Sequence, residues 1–467
     1  MNEPYYNRPF PADYIDLRPL IDDKTVLRNP HKGWYYHYID NGLNRAYYRD
    51  GIAPGDHLEA VPGLNHLYLR IDWADIEPEE GRFDWKWLDD IFDEWSRYGY
   101  RFSFRVCCFV SNTPYSTPKW VRDAGAAGTE ITSEILTPFG MQEMTRWEPD
   151  YGDPIFLAKL ENMLRAFGDK YNGHELVEFV DIGTFGTWGE GHTGCGSGKS
   201  WPPEVLRRHI DLHLRYLPDT TLLLNDDMVN HAARLGGADA AVALWEYAMG
   251  KGIGMRDDSL LVHGYIPIHG YDTMRAGQMT AAASAHAPVD LEFQHYRMMD
   301  LADFRHGYPL IDALAKTHAT YAGFHGYADK WLSEQRDLHE YLANRLGYWY
   351  FVPAIELPEC VAGLPTLMRL HIENRGYARA YHPCTLRVFA AAGEQRYLLA
   401  EETGANLRWE SGAAACETLR LDFRGVPAGE YELCVGLFEG ERAVKLAVKA
   451  EQLRGGAYAL AKFTVKA

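Results

Sequence analysis

The feature that most constrains the fold is an alternation along roughly the first 350 residues, where short apolar runs alternate with amphipathic segments. The run at 85–99, WKWLDDIFDEWSRYG, spaces its apolar residues for one face of a helix and stops at Gly99. Eight strands that are each followed by a plausible helix predict a (β/α)8 barrel. A doubly wound sheet remains the alternative, because periodicity does not reveal whether a sheet closes. The predicted strands are residues 33–39, 64–72, 101–109, 176–183, 220–226, 252–258, 288–296 and 319–327.

The pattern changes after residue 350. Residues 351–467 alternate strand-like runs with turns rich in glycine, proline and asparagine, and they show no strong helical pattern. This alternation is typical of an antiparallel β-sandwich. We therefore predict two domains, a (β/α)8 barrel over residues 1–350 and a β-sandwich over residues 351–467.

The charge balance argues against several classes of partner. The chain has 47 Lys and Arg against 65 Asp and Glu, a formal net charge of −18, and no dense basic cluster. We therefore expect no nucleic-acid partner and no membrane association, and neutral substrates agree best with this charge. The chain also shows no membrane-spanning run, no secretory signal and no C-x-x-C pair among its seven cysteines. These features predict a cytoplasmic protein with reduced thiols, and they leave the oligomeric state open.

A glycine-rich stretch at 183–200, GTFGTWGEGHTGCGSGKS, ends like a phosphate-binding loop. That loop requires G-x-x-x-x-G-K-[ST] running directly into a helix. Counting back from Gly198, the first required glycine falls on Thr193, and Pro202 and Pro203 delay the next helix until after the motif. No G-x-G-x-x-G opens a helix either, so we predict no nucleotide site and no cofactor.

Carboxylates at the ends of the predicted barrel strands offer a different chemistry. Catalytic groups in such barrels lie at the carboxyl ends of the strands and in the loops that follow. Glu190 follows the fourth predicted strand and Glu292 lies on the seventh, so the two face each other across the mouth of the barrel. Glycoside hydrolysis needs two such groups, ~5–5.5 Å apart for retention and ~6.5–9.5 Å apart for inversion. Further carboxylates end strands two, five and six: Asp72, Asp226, Asp257 and Asp258.

Residues 67–95, LYLRIDWADIEPEEGRFDWKWLDDIFDEW, resemble the second strand and following helix of clan A glycoside hydrolases. In that clan the acid/base glutamate follows strand four and the nucleophile ends strand seven. The resemblance therefore implies that Glu190 is the acid/base and Glu292 the nucleophile of a retaining enzyme. It also suggests that Arg70 contacts the nucleophile. One departure is that the clan usually has Asn before the acid/base, where this chain has Gly189.

Three further segments, NPHKGWYY (29–36), RLGYWYFV (345–352) and IENRGYARAYHPCTLRVF (372–389), resemble the bacterial domain of unknown function 4832. That family pairs a glycosidase-like barrel with a C-terminal β-sandwich. The resemblance thus implies the same two-domain architecture that the alternation predicts.

Other polar and aromatic residues at strand ends are candidate substrate ligands, although each is also explained by packing inside a barrel. The candidates for binding sugar hydroxyls are Asn225, Asp226, Asp257, His269, His295, Tyr296, His325 and Tyr327. The candidates for stacking on a sugar ring are Trp34, Trp73, Trp188 and Trp331. His192, Cys195 and the later histidines match no zinc spacing, so we predict no metal site.

The predicted function is hydrolysis of a small oligosaccharide or glycoside by a retaining, two-glutamate mechanism. One alternative is a barrel that binds carbohydrate and has lost its chemistry, which the absence of Asn before Glu190 favours. A weaker alternative is a metal-assisted hydrolase that uses Asp226, Asp257 and histidines.

Overall fold

A computed structural model describes residues 14–39, 58–137, 140–260, 275–293, 296, 301–324 and 328–467. Eight strands close into a barrel in which neighbouring strands run parallel, and this confirms the predicted (β/α)8 fold and excludes the open sheet. In chain order the barrel strands are β1 Gly33–Ile39, β2 Leu64–Asp72, β3 Arg101–Cys107, β4 Val177–Asp181, β5 Leu222–Asn225, β6 Gly254–Leu260, β7 Val289–Phe293 and β8 Tyr321–Phe324.

Helices follow each strand from β2 to β8. The helix after β2 buries Trp87, Leu88, Ile91, Phe92 and Trp95, which is the face that the apolar spacing predicts. Two longer helices begin with proline in their first turn, where the missing N–H costs nothing. The helices are α1 Trp73–Ile76, α2 Lys86–Trp95, α3 Lys119–Asp123, α4 Pro154–Tyr171, α5 Pro203–Tyr216, α6 Asp226–Met249, α7 Arg275–Ala283, α8 Leu301–Phe304, α9 Tyr308–Lys316, α10 Ala328–Glu334 and α11 Arg336–Arg345.

The interior of the barrel is filled by side chains from alternate strand positions, as in other barrels of this kind. Its deeper layer is largely aromatic and fully buried, and it comprises Tyr35, Tyr68, Phe179, Leu223 and Tyr321. Gly323 on β8 makes room for this layer, because a Cβ there would lie 2.5 Å from the Tyr35 hydroxyl. Charged side chains occupy the layer above, toward the carboxyl ends of the strands, and they form the candidate site described below.

A long β-hairpin interrupts the βα alternation between α3 and α4. Its two antiparallel strands, Gly128–Thr137 and Gly140–Pro149, pair over their whole length. The sequence reading did not predict this hairpin, since polar and apolar residues are mixed along both strands and give no clear period of two.

The C-terminal part is β-rich, as predicted, and its two sheets share one hydrophobic core. One sheet is antiparallel and contains Tyr14–Asp16, Tyr350–Glu356, Pro365–Asn374 and Ala414–Asp422. The other is mostly antiparallel and contains Cys360–Val361, Thr385–Ala392, Gln395–Thr403, Gly429–Glu439, Arg442–Val444 and Tyr458–Lys466.

The chain divides into two compact units whose boundary differs from the predicted one at residue 350. One unit joins the segment up to Gly33 and His318–Thr320 to Asp337–Ala467. The other unit contains Trp34–Thr317 and Tyr321–Arg336. The N-terminal segment does not belong to the barrel unit, because its strand Tyr14–Asp16 pairs with Tyr350–Glu356, more than three hundred residues later. Local periodicity gives no information about such a distant pairing. Within the described residues, none of the helices has the length and apolar character needed to cross a membrane.

Candidate active site

The loop after β4 presents Glu190 through an unusual backbone. Trp188 lies in a short 3-10 turn with φ of 55°, a left-handed conformation that is strained for a bulky residue. Two hydrogen bonds hold it there, from its backbone N–H to the Phe109 carbonyl (2.8 Å) and from its indole N–H to Ser111 Oγ (3.0 Å). Strain of this kind persists where the surroundings enforce it and is common at functional sites.

Packing explains why glycine precedes Glu190. Gly189 has φ of 74°, and a Cβ at this position would lie 2.5 Å from the Gly183 carbonyl oxygen and 3.0 Å from Arg105 Cδ. An asparagine therefore does not fit in this loop without a shift of the backbone near Gly183, and it would also press on Arg105. The departure from the clan A pattern thus accompanies a close approach of this loop to the Gly183 backbone and to the buried Arg105.

Gly191 brings the same loop against helix α6, and its replacement by alanine should disturb both. Its φ is 90°, and a Cβ would lie 2.5 Å from Met228 Cα. Gly198 is a matched control, with φ of 69° and no atom within 4 Å of its added Cβ. We expect Gly198→Ala to lower the free energy of unfolding by about 1–2 kcal/mol through backbone strain. Gly191→Ala should lower the free energy of unfolding by a further ~1–3 kcal/mol, because its Cβ overlaps the Met228 backbone. Equal losses of this free energy for the two variants in urea unfolding would contradict this packing.

Glu190 is held by two arginines and a histidine. Its Oε1 accepts hydrogen bonds from Arg70 Nη1 (3.2 Å) and Arg105 Nη1 (3.4 Å), and His192 Nε2 lies 3.3 Å from its Oε2. Its side chain remains 13% exposed, so solvent reaches it. Burial lowers the pKa of His192, but the hydrogen bond and charge of Glu190 outweigh burial, so the net effect is a raised pKa.

Glu292 lies deeper, near the carboxyl end of β7. His37 Nε2 is 3.1 Å from its Oε2, and the same oxygen accepts a hydrogen bond from Arg256 Nη2. Its side chain is 4% exposed. Asp290, two residues earlier on the same face, binds Arg256 and accepts from the Tyr35 hydroxyl (3.1 Å). Burial raises the pKa of Asp290 to about 7 despite Arg256, so this carboxyl is partly protonated near neutral pH.

Four buried side chains, Arg105, Asp181, Arg256 and Asp258, form a closed ring of alternating charge that we call the charged ring. Asp181 Oδ2 lies 3.1 Å from Arg105 Nε and 3.5 Å from Arg256 Nε. Asp258 completes the ring, with Oδ2 2.8 Å from Arg105 Nη2 and Oδ1 bound by Arg256 Nε. Removing one member of such a buried set costs about 3–5 kcal/mol, because it leaves a charge without compensation.

The charged ring connects the two predicted catalytic glutamates. Arg105 contacts Glu190, and Arg256 contacts Glu292. Burial opposes the charge of both arginines, but Asp258 and other carboxylates raise the pKa of both guanidinium groups, which therefore stay charged. Each glutamate is thus anchored on a different arginine of the charged ring.

More carboxylates line the loop side of the site. Burial raises the pKa of Asp227 to about 6; His192 opposes this rise, whereas Glu190 and Asp258 add to it. Burial, with the charge of Asp257, raises the pKa of Asp226 well above its usual value. The site therefore holds protons near neutrality and does not carry the full negative charge of its carboxylates.

The structure places the predicted polar ligands in different roles. Arg70 is 2% exposed, and its described ion pair is with Glu190, the predicted acid/base. Asn225 caps α6 by accepting from the Asp227 N–H (3.0 Å), and its amide donates to Asp258 (2.8 Å). Successive side chains of a strand point to opposite faces. Since Arg256 and Asp258 point into the barrel, Asp257 between them points outward.

The aromatic candidates are mostly packing residues. Trp73 and Trp331 are 0% exposed, so neither indole offers a face to a sugar, which corrects the prediction that they stack on substrate. Tyr296 is 2% exposed and its hydroxyl donates to Glu334 (2.9 Å). Trp34 is also 0% exposed, so of the four candidate tryptophans only Trp188, which adjoins Glu190, is partly exposed. His269, His295, His325 and Tyr327 lie outside the described residues.

The end of the glycine-rich stretch binds a carboxylate of the protein itself. The Ser197 N–H donates to Glu148 Oε2 (2.7 Å), on the hairpin, and Lys199 Nζ donates to Thr129 Oγ1 (2.8 Å). Helix α5 begins at Pro203, as the prolines predict. This backbone is therefore an anchor for the hairpin and not a phosphate-binding loop.

Sequence reasoning missed most of the residues that connect the glutamates. Arg105, Asp181, Arg256 and Asp290 all lie inside apolar strands at positions that point into the barrel. A buried charge in such a strand is expensive unless it is paired, so these residues were detectable by the argument that identified Glu292. Within the part of the chain that the structure describes, no group of three His, Cys, Asp or Glu side chains is arranged to hold a metal ion.

Comparison with known proteins adds a match that covers part of the barrel. Residues 62–184 match a family model described as beta-galactosidase. Beta-galactosidase BbgII of Bifidobacterium bifidum is 28% identical over 118 residues, which are 25% of this chain and 16% of that protein. Beta-galactosidase bgaB of Geobacillus kaustophilus is 25% identical over 122 residues, 26% of this chain and 17% of that protein. The chain thus spans a small part of the length of these curated relatives.

Two solved structures illustrate the structural similarities. Endo-glycoceramidase II from Rhodococcus sp. aligns with 86% of this chain and 99% of its own, at 14% identity and a TM-score of 0.37. A psychrophilic glycoside hydrolase family 10 endo-beta-1,4-xylanase aligns with 63% of this chain and 86% of its own, at 13% identity and a TM-score of 0.37. These scores are too low to add to the architecture described above.

The matched segment runs from just before β2 to just after β4, so it contains Arg70, Arg105 and Asp181 and ends before Glu190. It also contains the whole of the phrase at 67–95 on which the predicted resemblance rests. The resemblance to the domain of unknown function 4832 stays a prediction. Over residues 62–184 this chain is similar to the beta-galactosidase family, and this similarity confirms its predicted resemblance to clan A glycoside hydrolases.

Proposed function

We propose that this protein is a glycoside hydrolase that cleaves a small oligosaccharide or glycoside with retention of anomeric configuration. The observation that carries the proposal is that Glu190 and Glu292, from the β4 loop and from β7, are each held by a different arginine of the charged ring. Two separately anchored carboxylates at the carboxyl end of a barrel are what this reaction requires.

The surroundings of Glu292 suit a nucleophile. The Arg256 guanidinium stabilises the anionic form of its carboxylate, and the hydrogen bond with His37 fixes its orientation. In the first step this carboxylate attacks the anomeric carbon and forms a glycosyl ester as the bond to the leaving oxygen breaks.

The surroundings of Glu190 suit an acid/base. Arg70 and Arg105 both donate to Oε1 of Glu190. Oε2 is therefore the oxygen that can carry the proton to the leaving group. Glu190 is also the more exposed of the two glutamates, which the second step requires. In that step the carboxylate takes a proton from the water that hydrolyses the glycosyl ester.

The test is hydrolysis of a panel of p-nitrophenyl glycosides by the purified chain. The relatives over residues 62–184 are named beta-galactosidases, so the β-D-galactoside comes first, followed by other sugars and both anomers. We expect release of p-nitrophenol from at least one glycoside, with proton NMR showing that the first sugar formed keeps the substrate's anomeric configuration. An inverted first product would contradict the proposed mechanism.

The second candidate is a barrel that binds carbohydrate without cleaving it. It is favoured by Gly189 in place of the asparagine that clan A usually has, and by the 4% exposure of Glu292. Oligosaccharide binding by calorimetry, without product release from any glycoside in the panel, would decide for this candidate.

A further inference from the structure

Asp258 is the member of the charged ring that joins the two arginines most closely. Its Oδ2 binds Arg105 Nη2 at 2.8 Å and its Oδ1 binds Arg256 Nε. Asn225 Nδ2 also donates to Oδ2, at 2.8 Å, and the side chain is 6% exposed. The contacts described for the Asp258 carboxylate thus hold Arg105, Arg256 and Asn225 in place.

The position of Asp258 links the two halves of the site. Arg105 lies on β3 and contacts Glu190, whereas Arg256 lies on β6 and contacts Glu292. Between these arginines, Asp258 supplies the negative charge that lets two buried cations share one cavity. Without that charge the guanidinium groups repel each other, and each glutamate moves with the arginine that holds it.

Asp181 does not hold Arg105 and Arg256 together in the same way as Asp258. It contacts the Nε atoms of both arginines through one oxygen, and its distance to Arg256 is 3.5 Å. The Tyr68 hydroxyl also donates to that same oxygen. Asp258, by contrast, uses a separate oxygen for each arginine, which is the arrangement that fixes both orientation and distance.

We propose that Asp258 is a positioning residue that sets the separation of Glu190 and Glu292 by holding Arg105 and Arg256 together. The proposal rests on the proposed function for its effect on rate, but the separation itself is a property of the unliganded protein. Small errors in such a separation are costly, since a displacement of about 1 Å can reduce a rate about 10²-fold.

Two variants of Asp258 test the proposal. Asp258→Asn removes the charge and keeps the shape, whereas Asp258→Glu keeps the charge, so that the fold is preserved, and lengthens the side chain. We expect both to lower kcat on an aryl glycoside by about 10- to 10²-fold with little change in KM. In Asp258→Asn the alkaline limb of the pH–rate profile should move to lower pH, because loss of a nearby negative charge weakens proton binding in the site.

The matched control is Glu178→Gln, which removes an equally buried carboxylate from an ion pair with Arg101 (2.8 Å) at the amino end of β3 and β4. We expect it to lower the melting temperature but to leave the pH–rate profile and KM unchanged. If the Asp258 variants lose only as much kcat as Glu178→Gln and their profiles do not move, Asp258 is structural and the proposal is wrong.

A crystal structure of Asp258→Glu separates this proposal from the proposed function. We expect the distance between the carboxyl carbons of Glu190 and Glu292 to differ from that in the parent protein by more than about 0.5 Å, the tolerance of a productive site. An unchanged distance overturns the proposal even if the parent protein hydrolyses glycosides. A changed distance supports it even if no glycoside in the panel is cleaved, in which case the proposed function alone fails.

Discussion

We expect Glu292→Gln to reduce kcat on aryl glycosides on the order of 10⁴- to 10⁶-fold. An amide of the same shape has no anionic oxygen to attack the anomeric carbon, so the glycosyl ester does not form. Glutamine also retains a carbonyl oxygen that can accept the hydrogen bond from Arg256, and binding of the substrate is therefore preserved. The measurements are kcat and, by calorimetry, the affinity for the reaction product.

Asp290→Asn is the matched control for this experiment. Asp290 lies two residues earlier on β7, binds the same Arg256 and is equally buried. Burial raises its pKa to about 7, so asparagine resembles a form that the carboxyl already adopts near neutrality. We expect this variant to keep kcat within the order of magnitude of the parent protein. Comparable losses in the two variants would show that Arg256 needs its partners, and that Glu292 is not the nucleophile.

Glu190→Gln separates substrates by their leaving groups. For an alkyl glycoside or a disaccharide, kcat/KM should fall about 10³-fold, because the leaving oxygen must be protonated as the bond breaks. For a dinitrophenyl glycoside, kcat/KM should fall by less than about tenfold, since that leaving group departs without a proton. Steady-state kinetics with both substrates provide the comparison, and kcat/KM reports the first step alone.

The second step gives an independent readout on the same variant. Without a base to activate water, the glycosyl ester accumulates, and dinitrophenol is released in a burst before a slow steady state. Glu148→Gln, in the hairpin that anchors the same loop through Ser197, controls for general disturbance of the loop. Equal losses of kcat/KM on both substrates, in the absence of a burst, would exclude Glu190 as the acid/base.

The sequence alone predicted a βα-alternating domain, a β-rich C-terminal part and the two glutamates at strand ends, and it left the closure of the sheet open. Eight apolar runs alternating with amphipathic segments admit few folds other than a barrel, because each strand must bury both faces and each helix one. Glu292 was recognisable because a carboxylate between Leu291 and Phe293 in a buried strand is costly without a partner. A phosphate-binding loop at the GKS motif could also be excluded from the sequence, since the spacing of the motif and the prolines that follow it are local properties.

Only the tertiary structure decided which buried charges meet. Arg105 and Asp258 are 153 positions apart in sequence, and the closure of the barrel brings their side chains together. Periodicity predicts that the side chain of a strand residue points inward. It does not predict the height of that side chain in the barrel or which of the seven other strands supplies its partner. For that reason Asp257 was selected as a substrate ligand whereas Asp258 was named only as a strand-end carboxylate, and the ion pair between Arg70 and Glu190 was not foreseen. Ion pairing in a closed barrel depends on register between distant strands, and register is a property of the assembled sheet.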